Sequence, residues 1–180
     1  MSKQSSHISL FEEMILVHMN AAYNLARWLT GNDQDAEDMV QEASLRAYQY
    51  FEKFQGENSR AWLLTIVRNT CYTWLRQNRV NNSNLELDEE IVDTQLGGNN
   101  PEGRLQDHFN AQLLRSALEM LPTESRELII LREVEDLSYK EIAGVAGIPL
   151  GTVMSRLARA RQQLKRCLFL LTDKEGANGL

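Results

Sequence analysis

Between Gly151 and Arg166 the chain places Arg156, Arg159, Arg161, Lys165 and Arg166 with no acidic residue among them. Cations at that density can neutralise phosphates, and the short polar side chains ahead of them, Thr152 and Ser155, can bond base edges. Val153, Leu157, Ala160 and Leu164 recur at steps of 4, 3 and 4. At about 100° per residue they line one face of a helix, and Thr152, Ser155, Arg156 and Arg159 fall on another. Such a helix suits the major groove, with its first residues toward the bases and its later cations, Arg161 included, toward phosphates. It needs a support. Ser138 and Glu141 form a capping box at the start of a shorter helix with Ile142 and Val145 on its apolar side. Gly147 permits a positive φ, and Pro149 turns Ile148 away from helix, so the chain reverses there. The spacing predicts a helix-turn-helix over residues 137–166.

A second cationic face lies earlier. From Arg60 to about Arg79 a helix carries Leu63, Ile66, Val67, Thr70 and Trp74 on one side. Thr65, Arg68, Asn69, Tyr72, Arg76 and Arg79 gather within roughly a third of the circumference on the other. Cations interleaved with an aromatic and an amide suit an unpaired strand: the cations track phosphates, the ring stacks a base and the amide bonds its edge. In the preceding helix Asp38, Gln41 and Glu42 stand at i, i+3 and i+4. They share one face, which can meet a basic partner surface.

These faces need helices to hold them, and the rest of the sequence supplies helices only. Ser9 and Glu12 read as a capping box opening one long helix, with Leu10, Met14, Val17, Ala21, Leu25 and Trp28 or Leu29 as its stripe. Gly31-Asn32-Asp33 stops it and starts a second, with Ala36, Val40, Ala43, Ala47, Phe51 and Phe54 inside. With the helix from Arg60 these make a three-helix bundle, residues 8–80. Residues 81–104 lack a sustained period and carry Glu86, Asp88, Glu89, Glu90, Asp93 and Glu102 against Arg104 alone. They read as a flexible acidic linker. Helix resumes through Leu113, Leu114, Ala117, Leu118 and Leu121, and Pro122 opens another with Leu128, Ile129 and Leu131 inside. These two brace the helix-turn-helix in a four-helix domain, residues 105–171. The fold class is all-α, in two small domains.

The net charge of −6 over 180 residues runs against nucleic-acid binding, since phosphate neutralisation drives affinity. The linker, however, holds five of the surplus negative charges. That distribution fits modest affinity for DNA alone and reliance on a partner. Cys71 and Cys167 sit apart in helical patterns, as reduced thiols, and the three histidines are scattered, so no metal site or cofactor is expected. No apolar run approaches the ~18 residues of a membrane span, and Met1 to Met14 lack a signal peptide's apolar core. A cytoplasmic protein without membrane insertion is expected. Dispersed acids argue against a hydrolase or nuclease and against a small-molecule substrate. An ordinary DNA-binding regulator, its first 80 residues a sensory or dimerisation bundle, is the rival reading; it predicts tight operator binding unaided and indifference to changes at Asp38 and Gln41.

The blocks DAEDMVQEASLRAY, WLLTIVRNTCYTWLRQNR and LPTESRELIILREVEDLSYKEIAGVAGIPLGTVMSRLARAR, in that order, resemble bacterial RNA polymerase sigma factors of the extracytoplasmic-function (ECF) group of the sigma-70 family, over about residues 9–168. The resemblance implies a promoter-specificity subunit without catalytic chemistry. It implies that Asp38, Gln41 and Glu42 bind the clamp coiled coil of the polymerase β′ subunit, with the β flap as a further contact. It implies that the loop Gln55, Gly56, Glu57, Asn58 and Ser59, together with Asn69, captures a flipped base of the minus-10 element. Arg68, Tyr72, Arg76 and Arg79 stand nearby, and Trp62 shapes that site. Thr152, Ser155, Arg156 and Arg159 match the face reading the minus-35 element. The linker would run toward the polymerase active-site cleft, and an anti-sigma factor is an implied partner. The chain departs from many relatives at Met154, where they have Lys or Arg, and at Leu64 and Thr65, where some have an aromatic-basic pair.

Overall fold

A computed structural model of the chain describes residues 2–81 and 101–178, with side chains over 7–78 and 109–173. Among these residues every regular element is helical. The long first helix expected from Ser9 is two helices instead. Helix α1 (Ser2–Met14) already contains Ser9, so the Ser9–Glu12 pair caps no terminus, and a 3-10 turn at Leu16–His18 separates it from α2 (Met19–Thr30). A 3-10 turn advances about 120° per residue rather than 100°, so the buried stripe changes phase across it. Phe11 and Ile15 are buried, whereas Leu10 and Val17, predicted inside, are exposed. Beyond the turn Ala21, Leu25 and Leu29 are buried, as the period requires.

Gly31, at φ 93°, closes α2 in the left-handed region, where a residue lacking Cβ is unstrained. Asn32 then caps α3 (Asp33–Tyr50) by accepting from the Asp35 amide at 2.8 Å. Ala36, Val40, Ala43, Ala47 and Phe51 all face inward. Small residues along α3 let α2, α3 and α4 (Ser59–Asn81) pack closely on one another.

Of the segment predicted as a linker, residues 82–100 lie outside the described residues. Asn81 ends α4, and residues 101–104 form the first turn of α5 (Pro101–Glu119); Pro101 opens it where a missing N–H costs nothing. After Pro122 come α6 (Thr123–Ile129), which ends in a π turn at Ile130–Val134, then α7 (Tyr139–Ala146) and α8 (Leu150–Asn178). The Ser138–Glu141 capping box is complete, and Gly147 ends α7 at φ 65°. Val153, Leu157 and Ala160 are fully buried beneath α8.

The two sets of helices do not stand apart. Leu64, Val67 and Cys71 of α4 belong to the same buried cluster as Leu128, Leu131, Ile142 and Val145, and Trp28 of α2 packs against a second cluster formed by Leu118, Leu121, Ile129, Ile130 and Ala160. Helix α4 is covered on two sides, by α2 and α3 and by α7. That second cover explains why Leu64, on no predicted core face, is fully buried.

Candidate nucleic-acid interface

The α8 face is open. Ser155, Arg156 and Arg159 are exposed and Thr152 is half-buried. Thr152 and Ser155 are linked by a bond from the Ser155 hydroxyl to the Thr152 carbonyl at 3.2 Å. Arg156 lies 3.6 Å from Glu124 of α6, and Arg161 donates to Glu133 at 2.7 and 3.1 Å. Both are exposed pairs, which hold a side chain only weakly. Met154 is also exposed on this helix. The arrangement presents unburied donors on a rigid rod anchored from below, which is what a major-groove helix requires.

The α4 face is closed at Arg68 and Tyr72. Arg68 donates through Nε and Nη2 to the Glu127 carboxylate, the Tyr72 hydroxyl donates to the same carboxylate at 2.7 Å, and the Arg68 guanidinium lies 4.4 Å from the Tyr72 ring centre. Glu127 is 2% exposed. Burial pushes its carboxyl above the usual range, against the pull of Arg68 and the Tyr72 bond. Burial, reinforced by the Glu127 charge, raises the Tyr72 hydroxyl and lifts the Cys71 thiol to about 12. A second buried acid, Glu135, follows the π turn and accepts from Arg60 at 2.6 Å and from Asn24 at 3.2 Å. Arg126 donates to the Trp28 carbonyl near the end of α2 at 3.1 Å. Asn69 and Arg76 remain exposed. Thr65 is half-buried, its hydroxyl donating back to the Ala61 carbonyl at 2.8 Å. The side chain of Arg79 lies outside the described residues.

The loop Gln55–Ser59 is exposed over its first four residues. Asn58 accepts from the Ala61 amide at 2.9 Å, capping α4, and donates to Glu141 of α7. His18 Nε2 stands 3.2 Å from the Ser59 hydroxyl. Trp62 packs its ring 4.8 Å from that of Phe54, which stacks on Phe51. The indole thus supports the loop from behind rather than projecting from it.

Asp38, Gln41 and Glu42 are all exposed. They edge a groove of about 430 Å³ whose other walls include Leu45, Arg46, Thr73 and Trp74. Glu42 accepts from Arg46 at 2.9 Å. Sequence reasoning missed Leu45, exposed beside these acids, and the buried pair Glu127 and Glu135. One signal for Glu127 was present: it directly precedes the apolar run Leu128-Ile129-Ile130-Leu131, where an acid must be buried or break the helix face. Among the described residues no cluster of His, Cys, Asp or Glu could hold a metal ion, and no helix is long and apolar enough to cross a membrane.

Known families match both halves. The sigma-70 region 2 model matches residues 14–80, and the sigma-70 region 4 model matches residues 111–164. ECF RNA polymerase sigma factor SigE of Mycolicibacterium smegmatis is 35% identical over 156 residues, 86% of this chain and 60% of that protein. EcfG of Rhodopseudomonas palustris is 34% identical over 143 residues, 79% of this chain and 76% of the relative. Among solved structures, the sigma factor RpoE in complex with the anti-sigma factor NepR from Bartonella quintana superposes with a TM-score of 0.73 at 30% identity, covering 88% of this chain and 96% of that one.

Proposed function

The chain belongs to the ECF RNA polymerase sigma factors of the sigma-70 family, and from that premise we propose how its faces divide the work of promoter-directed initiation. Members of this family carry no catalytic chemistry; they select promoters for the polymerase. Residues 8–80 bind core polymerase and the minus-10 element, and residues 105–171 bind the minus-35 element. Asp38, Gln41 and Glu42 offer carboxylates and an amide to the basic clamp coiled coil of β′, with the β flap contacting the C-terminal helices. Thr152, Ser155, Arg156, Arg159 and Arg161 read and hold minus-35 duplex. The loop Gln55–Ser59, supported by Trp62, with Thr65, Arg68, Asn69, Tyr72, Arg76 and Arg79, holds the unpaired minus-10 strand. The acidic segment 81–104 runs toward the active-site cleft, and an anti-sigma factor holds the chain inactive in the cytoplasm.

The observation that carries this reading is the exposed row Ser155, Arg156 and Arg159 on a helix whose opposite side, Val153, Leu157 and Ala160, is fully buried. Trapping exposed bases shifts the duplex toward its open form because duplex DNA does not present them. Transcription in vitro with purified core polymerase and genomic fragments gives promoter-directed starts that depend on this chain. Absence of such starts, or retention of core polymerase by Asp38→Arg in a pull-down, overturns the assignment.

A further inference from the structure

The outward side of α8 carries an apolar feature among its cations. Gly151, Met154, Ser155, Ala158 and Arg159 are all exposed and follow one another at steps of 3, 1, 3 and 1. That spacing makes them the row opposite the buried Val153, Leu157 and Ala160. Gly151 and Ala158 add little or no bulk to the row, so the Met154 side chain, 54% exposed, is its one long apolar group. One turn earlier Leu150 is 48% exposed, and the i,i+4 spacing sets it beside Met154. We propose that Met154, flanked by Leu150, is a specificity-determining residue of the minus-35 face: it packs against the C5-methyl group of a thymine in the major groove.

An exposed apolar side chain standing alone on a surface is ordinary. Met154 stands instead between Ser155 and the cations Arg156 and Arg159, in a stretch from Gly151 to Arg166 where every charge is positive. Those charges draw the helix to phosphates, and Leu150 and Met154 belong to its N-terminal part, the part that enters the groove. The base edges exposed there are hydrogen-bonding groups, and thymine alone adds a methyl group. A thioether donates no hydrogen bond and accepts only weakly, so Met154 has little to gain from the polar edges. Against the methyl group it gains by removing apolar surface from water. Its unbranched chain adapts to the approach that the neighbouring polar contacts dictate. A cytosine at the same place would turn an amino group toward Met154, which strips its water without replacing the hydrogen bond. The face therefore reads by two kinds of contact: Ser155 and Arg159 by hydrogen bonds, Met154 by shape and apolarity.

The inference rests on the minus-35 role proposed for α8, and one experiment separates the two. Core polymerase carrying the full chain selects duplexes from a pool randomised over the minus-35 element. The enriched duplex is then made with each thymine replaced singly by deoxyuridine, which removes the methyl group and nothing else. Binding to each duplex is measured by competition at fixed salt for the unaltered chain, Met154→Ala and Met154→Leu. Because Met154 is exposed, neither change threatens the fold. With the unaltered chain, replacing one particular thymine is expected to weaken binding about fourfold, the effect of burying one methyl group. With Met154→Ala the same replacement should change nothing, and Met154→Leu should restore most of the difference. The inference is overturned if no thymine responds to the loss of its methyl group, or if Met154→Ala responds as strongly as the unaltered chain. Loss of core polymerase by Met154→Ala in a pull-down, with thymine discrimination intact, overturns it as well and assigns Met154 to a protein partner. A pool from which the unaltered chain enriches no sequence overturns the minus-35 role of α8 itself, and the inference with it.

Discussion

On α4, Arg68 is bound by a buried glutamate from the other half of the chain; on α8, Arg159 projects into solvent from a helix anchored by Val153, Leu157 and Ala160. Both residues belong to cationic faces set opposite an apolar stripe, and the sequence writes the two faces in the same way. The difference comes from what lies across from them. Helix α4 is covered by α7 and by the acid at the centre of α6, whereas Ser155, Arg156 and Arg159 on the outer side of α8 stay exposed. A DNA-facing helix is therefore not open merely because its residues are polar and its pattern amphipathic.

The contrast is sharpest in stability. Arg68→Ala leaves the Glu127 carboxylate buried with one neutral partner, and loss of one member of a buried ion pair costs about 3–5 kcal/mol; urea unfolding should show a loss of that size. Arg159→Ala, on the open face, should unfold within about 0.5 kcal/mol of the unaltered chain. Equal losses from the two changes would break the comparison.

In DNA binding the order reverses. Arg159→Ala should weaken minus-35 duplex binding by the polymerase-bound chain by about 1–3 kcal/mol, read from competition at fixed salt. A result indistinguishable from the unaltered chain removes Arg159 from the reading face.

A smaller effect tests the support beneath α8. Ser138→Ala removes the cap of α7 and should cost about 1 kcal/mol. Bonds from the Ser138 hydroxyl and amide hold the Glu141 carboxyl below the usual carboxylate range. A lowered folded value means that Glu141 contributes stability above that range and loses it as pH falls through the folded value. The difference between Ser138→Ala and the unaltered chain should therefore be full at neutral pH and shrink in acid below the usual carboxylate range. A difference independent of pH would show that the box does not act as a unit. Smallest of all, Arg161→Ala breaks an exposed pair with Glu133 and should change stability by less than about 0.5 kcal/mol.

The helix-turn-helix was legible because every device in it is local. The capping box joins residues three apart, the turn needs one positive φ, and the stripe Val153-Leu157-Ala160 repeats at the helical period. The α2–α3 junction at Gly31-Asn32 was legible for the same reason. The first helix was misjudged where a 3-10 turn at Leu16–His18 shifted the phase of the stripe, because periodicity alone carries no mark of such a shift. Thr65 and Leu64 were read by their polarity and their relatives, but the structure turns the first to its own helix and buries the second.

Local order thus follows from the amino-acid sequence: the helices, the caps at Asn32 and Ser138 and the two cationic faces, each set by contacts within a few residues. Tertiary structure alone decided which face is masked. Glu127 and Arg68 stand 59 positions apart in the chain, and their meeting depends on two apolar surfaces whose complementarity no single helix displays. An exposed acid and a buried, paired one are the same letter in sequence; only the surrounding packing separates them.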